Sequence, residues 1–225
     1  IKIEGKKNLT LKGEGFYTMI FGEGHDSKAG VDPYTGRAGV CVINSDVTFD
    51  NLHVKEFQGR CMAVYNSTVV IKNSTIDGCD AGGISMFGSS SGLIVNNLIA
   101  EHNFGGIMLW QNSLAKIFNN IFYNGGIMFF YHPNTNDQMK AEIINNIIVL
   151  YTNYAGRASI TQVDWWKDQI PRLKENTIKT NIFWKGEYKC WDFELCDFPG
   201  KISADPMFVE PVTDPRGIAN WANFG

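Results

Sequence analysis

No run of the chain approaches the roughly eighteen continuous apolar residues that a membrane-spanning helix needs, so nothing in it is expected to cross a bilayer. Charge is scarce: Asp, Glu, Lys and Arg make up 19% of the 225 residues and leave a formal net charge of -3. With no basic field to meet a phosphate backbone, nucleic acid is not an expected partner. None of the 5 cysteines forms a CxxC pair, so a zinc reading has little support. Nor do they make a disulfide framework for a chain of this length. Cys190 and Cys196 lie close enough to close a small loop in an oxidising compartment, whereas Cys41, Cys61 and Cys79 are expected as buried thiols. The sequons at Asn8, Asn66 and Asn73 are what chance supplies in a chain rich in Asn, Ser and Thr.

What the chain does have is a repeat. VTFDNLHV, VVIKNSTI, LIVNNLIA, KIFNNIFY and EIINNIIV align on Asn51, Asn73, Asn97, Asn120 and Asn146, at intervals of 22 to 26 residues. On this alignment an apolar residue stands two places before each Asn (Phe49, Ile71, Val95, Phe118, Ile144). The period is too short for a helix pair and suits one lap of a coil made of three short strands. Leucine-rich repeats share the period, but regularly spaced leucines and a helical stretch are missing here. Ile, Val, Phe and Thr in period-two alternation stand in their place.

A second signature is a glycine, or Cys61, leading an apolar alternation: GVCVIN from Gly39, CMAVYN from Cys61, GISMFG from Gly83, GIMLWQ from Gly106 and GIMFFY from Gly126. The paired glycines at 82–83, 105–106 and 125–126 predict a sharp corner that recurs once per lap through backbone angles closed to other residues. Stacked laps lie about 4.8 Å apart, so like residues sit on like. Inward asparagines then form a ladder of amide hydrogen bonds whose continuity makes it stable, and a break such as Asn97→Leu is expected to strand Asn73 and Asn120.

The asparagine repeats, the opening GKKNLTLKGEG at 5–15 and the closing SADPMFVEP at 203–211 together resemble the pectin-lyase-like family of right-handed parallel β-helices. The resemblance covers most of the chain and implies an all-β solenoid, with residues 1–225 forming one domain or a fragment of a longer chain. A start at Ile1 without methionine or signal peptide, already within the first lap, is expected of a mature secreted fragment or a piece of a larger protein. The interruptions at 22–39, 131–140 and 153–176, the last with a short helix expected around 165–170, are read as loops beside the binding face.

In the Gly-led strand, alternation turns Val40, Met62, Ile84, Ile107 and Ile127 inward and sets Cys41, Ala63, Ser85, Met108 and Met128 outward. Beside these, a second outward column runs Ile43, Tyr65, Phe87, Trp110, Phe130. A bare aromatic strip about 20 Å long exceeds what a soluble monomer leaves open, so something covers it: a glycan, the chain's own loops, a missing domain or a second subunit. The resemblance makes this face the polysaccharide groove, with Tyr65, Phe87, Trp110, Phe130, His132 and Arg157 as substrate-binding candidates.

Charged candidates gather just before that strand. Lys55, Asp77 and Glu101 are expected in one outward column, which a solvated charge ladder also explains. Asp77, Asp80 and Glu101 offer hard oxygen ligands for calcium. Arg60 or His102, with Asp80, would then remove the C5 proton beside a uronate carboxylate, as the resemblance to uronate lyases implies. The family's polygalacturonase-type motifs, its RxPxxR and its DPHD are missing, and Gly24-His25-Asp26 is only a partial echo. The leading expectation is therefore a secreted polysaccharide lyase acting on an acidic polymer. A non-catalytic β-helix module that contacts glycan, protein or a second copy through the aromatic face is the rival. A glycoside hydrolase is a third reading and needs two carboxylates across the groove.

Overall fold

A computed structural model describes residues 1–14, 17–24, 38–102, 104–130, 138–149, 160–162, 175–184 and 202. The chain winds as a coil whose strands form three parallel seven-stranded sheets. One lap shows the plan: Arg60–Tyr65 belongs to the Gly-led sheet, Thr68–Lys72 to a second sheet and Thr75–Asp77 to a third. The next lap repeats it with Gly82–Phe87, Ser91–Val95 and Leu98–Ala100. The right-handed parallel β-helix expected from the repeats is what the chain forms. The segments at 25–37, 131–137 and 163–174, including the helix expected around 165–170, lie outside the described residues, as do Cys190 and Cys196.

Branched and aromatic residues stack down the inside because parallel register puts equivalent positions on top of one another. Met62 pairs with Ile84 and Ile84 with Ile107 in the Gly-led sheet. Ile71, Ile94, Ile117 and Ile143 follow one another in the second sheet, all fully buried.

Each corner obeys one local rule. A residue with left-handed backbone angles turns the chain, and a side chain one or two places after it points inward, where a polar one can accept the backbone N–H of the preceding lap. Between the Gly-led and second sheets the turning residues are Asn44, Asn66, Gly88 and Gln111. After them come the buried Ser45, Ser67, Ser90 and Ser113. Ser45 N–H donates to Ser67 Oγ at 3.0 Å, and Ser67 N–H to Ser90 Oγ at 3.4 Å. This serine ladder was legible in the repeat but is not part of the asparagine pattern.

Between the second and third sheets the turning residues are Asn51, Asn73, Asn96, Asn119, Asn145 and Thr180. The inward ladder is therefore shifted by one place in the early laps, where it runs through Leu52 and Ser74 rather than Asn51 and Asn73. Leu52 N–H donates to Ser74 Oγ at 3.1 Å, and Ser74 N–H to Asn97 Oδ1 at 3.0 Å. From Asn97 the amides continue through Asn120 and Asn146 to Asn181, with Nδ2–Oδ1 distances of 3.0, 3.0 and 2.9 Å. The shift also corrects the apolar column: Val95, Phe118 and Ile144 face outward and are half-buried, whereas Ile94, Ile117 and Ile143 are the core residues. Asn97→Leu would accordingly strand the Ser74 N–H rather than Asn73.

Of the paired glycines, Gly82 alone has a positive φ, at 125°. The others answer a demand for space. A Cβ on Gly83 would stand 2.4 Å from the carbonyl oxygen of Gly106 and 2.8 Å from His102 Nε2.

Candidate functional site

The corner that leads from the third sheet into the Gly-led sheet is turned by Glu56, Gly78, Glu101 and Asn124, all with positive φ. Phe57, Cys79 and His102 follow the first three and project inward. Here the ladder rule uses unusual acceptors: Phe57 N–H donates to Cys79 Sγ at 3.5 Å, and Cys79 N–H to His102 Nδ1 at 3.3 Å. Facing them across the corner stand Gly39, Cys61 and Gly83. Each glycine leaves room for a ring, Gly39 for Phe57 and Gly83 for His102. In the rung between, Cys61 and Cys79 are joined as a disulfide. The thiols expected at these two positions are thus cross-linked, and Cys41 is a buried thiol.

The same geometry removes His102 from the list of bases. It is 6% exposed, accepts through Nδ1 and holds its Nε2 3.0 Å from the carbonyl oxygen of Ile76. That pattern assigns the neutral ring with its proton on Nε2. Burial lowers its pKa to about 4, against the smaller upward pull of Asp77 and the two backbone carbonyls. A folded pKa below the unfolded one withholds a proton that the unfolded chain takes up, so this contribution to stability is complete above pH 6.5 and is lost as pH falls toward 4. His102→Asn, whose amide keeps both an acceptor and a donor, is expected to flatten that limb. Unfolding free energies from urea titrations at pH 7 and pH 5 should differ by about 2 kcal/mol less in the variant than in the parent.

The acidic candidates do not converge. Asp77 pairs in register with Lys55 and Ala100, so Glu101 falls one place beyond the column expected for it, at the corner itself. The Asp77 carboxylate is fully buried and its Oδ2 lies 2.8 Å from Nε2 of the equally buried His53. Glu101 Oε1 accepts from Asn124 Nδ2 at 3.1 Å, and Asp80 sits half-buried in the corner, its backbone N–H donating to Phe57. Among the described residues, the single group of three or more His, Cys, Asp or Glu side chains close enough to hold an ion is Cys61, Cys79 and His102. The calcium set of Asp77, Asp80 and Glu101 is therefore not assembled. The His53–Asp77 pair was missed because an outward strand position reads as solvent-facing when only alternation is considered.

On the outer face of the Gly-led sheet the expected aromatic column is present, packed apart from the internal core. Ring centroids are separated by 4.6 Å from Tyr65 to Phe87, 5.6 Å from Phe87 to Trp110 and 3.7 Å from Trp110 to Phe130, with planes within 21° of parallel. The lap spacing of a parallel coil is close to the stacking distance of aromatic rings, so register alone builds the stack. The column is not an open strip, however. Tyr65 is 5% exposed and Phe130 1%, while Phe87 and Trp110 are half-buried. The outward Cys41, Ala63, Ser85, Met108 and Met128 are wholly buried.

Arg60, half-buried at the start of its strand, reaches across to the next lap. Its Nε–H donates to Ser85 Oγ at 2.8 Å, and its guanidinium carbon lies 5.2 Å from the centroid of Phe87. A guanidinium held this way stays charged and serves better as a fixed cation than as a base. Ser85 and Phe104, whose ring stacks on Phe130 at 6.1 Å, complete the surroundings. His132 and Arg157 lie outside the described residues.

A family model for a right-handed β-helix region matches residues 34–181. No curated protein and no solved structure matches the chain. With three parallel sheets, inward ladders at every corner and a family match over most of its length, this chain belongs to the right-handed parallel β-helix family, of the pectin-lyase-like kind.

Proposed function

We propose that the half-buried surface formed by Phe87, Trp110 and Arg60 binds an acidic saccharide, in a secreted, carbohydrate-active β-helix protein. The observation that carries this is the guanidinium of Arg60 lying over the ring of Phe87 within a continuous aromatic stack. The faces of Phe87 and Trp110 are taken by their neighbours in the stack, so a sugar would lie along the ring edges, and the fixed guanidinium beside them pairs with a uronate carboxylate. Neutralising that carboxylate also makes the adjacent C–H more acidic, which favours β-elimination as the reaction class, with the C5 proton going to a base other than Arg60 or His102 and the glycosidic oxygen leaving. His102 plays no part in it. Calcium stays in the proposal as a reaction component, without Asp77, Asp80 and Glu101 as its common ligands. The Cys61–Cys79 disulfide supports an oxidising, extracellular setting.

A second reading rests on the burial of Tyr65 and Phe130, which leaves a narrower surface than a polysaccharide groove. Here the chain is a non-catalytic module and Phe87 with Trp110 forms a protein contact. Calorimetric titration with oligomers of pectate, alginate and glycosaminoglycans separates the two. Arg60→Ala is expected to weaken uronate binding about 10- to 100-fold, the worth of a charge-assisted hydrogen bond. Trp110→Ala should weaken it roughly tenfold. With the polymers themselves, with and without calcium, unsaturated chain ends should raise the ultraviolet absorbance. Absence of both heat and absorbance across these sugars, with light scattering that shows a dimer broken by Trp110→Asp, would establish the module instead.

A further inference from the structure

The third corner holds chemistry that saccharide binding does not use. Cys61 Sγ, Cys79 Sγ and a ring nitrogen of His102 all lie within 4.8 Å of one another, and all three residues are buried. The oxidised corner is a disulfide, but the surroundings suit more than a cross-link. His102 points Nδ1 at Cys79 while Nε2 is fixed on the Ile76 carbonyl, the arrangement by which a backbone oxygen orients a metal-ligating imidazole. Gly83, where a side chain would collide with the ring, keeps the imidazole in that place. The carbonyl oxygen of Asp77 lies 3.4 Å from Cys61 Sγ and 3.5 Å from Cys79 Sγ, against both sulfurs at once. The two cysteine Cα atoms are 5.6 Å apart, close enough for both side chains to reach one ion.

From this juxtaposition we infer that the corner is a two-state site: a disulfide when oxidised, and a Cys2His site for a thiophilic divalent cation, zinc foremost, when reduced. A dithiol or phosphine reductant supplies two electrons and is itself oxidised, and the two sulfurs take up two protons as thiols. Zinc then displaces those protons as both thiolates bind, and His102 lets go of the Cys79 N–H and gives its Nδ1 lone pair to the ion without a proton change. The Asp77 carbonyl is the neighbour best placed for the fourth position. Thiolate and imidazole ligands match zinc, whereas calcium and magnesium need oxygen donors. Binding therefore releases two protons per ion and weakens as pH falls.

The test uses the full chain carrying Cys190→Ser and Cys196→Ser, which removes the thiols outside the corner other than the buried Cys41. After anaerobic reduction with a phosphine, circular dichroism monitors the fold while cobalt(II) is added as a spectroscopic stand-in for zinc. The expected result is a folded protein that binds one cobalt, with thiolate-to-metal charge transfer and the intense visible bands of a tetrahedral ion, both abolished by one equivalent of zinc. The oxidised protein should show neither band. His102→Asn should bind more than about 100-fold more weakly, beyond what loss of an outer-sphere partner costs. The inference is overturned by a reduced protein that unfolds, by one that folds but gives no charge-transfer band, or by unchanged binding in Cys61→Ala/Cys79→Ser.

Discussion

Replacing Asn120 by leucine is expected to lower the unfolding free energy by about 4 kcal/mol, with a thermal midpoint roughly 8 to 16 °C below the parent. Asn120 Oδ1 accepts from both the backbone N–H and the Nδ2 of Asn97, at 2.9 and 3.0 Å. Its Nδ2 donates to the Ile94 carbonyl at 2.9 Å and to Asn146 Oδ1 at 3.0 Å. Leucine would leave the Asn97 N–H and one Asn97 amide proton buried without partners, each at about 1 to 3 kcal/mol. Shape is not the difficulty, because Leu52 occupies the same position in an earlier lap. The neighbouring residue supplies the control. Asn119 has φ 55° and is exposed, so Asn119→Gly satisfies its left-handed backbone and should change stability by less than about 1 kcal/mol. Equal losses at 119 and 120 in urea titrations would mean that the ladder is not what holds this corner.

Removing the corner cross-link should cost about 3 kcal/mol. The Cys61–Cys79 bridge closes a segment with a sequence separation of 18, and the chain entropy it denies the unfolded state is of that order. The suitable variant is Cys61→Ala/Cys79→Ser. Alanine follows the small residues Gly39 and Gly83 in the same column, and serine keeps an acceptor for the Phe57 N–H. Reductant should lower the parent's unfolding free energy in urea titrations by a similar amount and leave the variant unmoved. A parent insensitive to reductant would mean that the two sulfurs are not joined in solution. Zinc added to the reduced parent, but not to the variant, should recover part of the loss if the corner binds the ion.

How far the sequence could be read depended on which letters were unambiguous. The Asn-Asn pairs at 96–97, 119–120 and 145–146 contain both the turning residue and the ladder residue, whereas Asp50-Asn51-Leu52 and Lys72-Asn73-Ser74 contain the turning asparagine alone. Aligning on the letter Asn therefore slipped the early laps by one place. Hydrophobicity did not correct the slip: Ile94-Val95, Ile117-Phe118 and Ile143-Ile144 are apolar at both positions, and one residue of register exchanges the faces of a strand. The same slip set Glu101 over Asp77, where Ala100 stands. In the Gly-led strand the order of inward and outward columns was read correctly, because the small leading residue marks the same place in every lap. Ser45, Ser67, Ser90 and Ser113 recur at nearly the lap period and were open to the same reading.

The repeat alone was enough to determine a three-stranded lap, parallel stacking and an outward aromatic column, since a side chain's face follows from alternation within its own strand. Burial and pairing do not follow from alternation. Tyr65 and Phe130 are enclosed while Phe87 and Trp110 are partly open, and His53 meets Asp77 from a different lap. Cys61, Cys79 and His102 meet because a corner brings a strand of one lap against the turns of two others. Left-handed turning positions accept Asn, Gly, Glu, Gln or Thr here, so no residue type announces them. Only the closed path of the backbone decides which side chains those turns bring together.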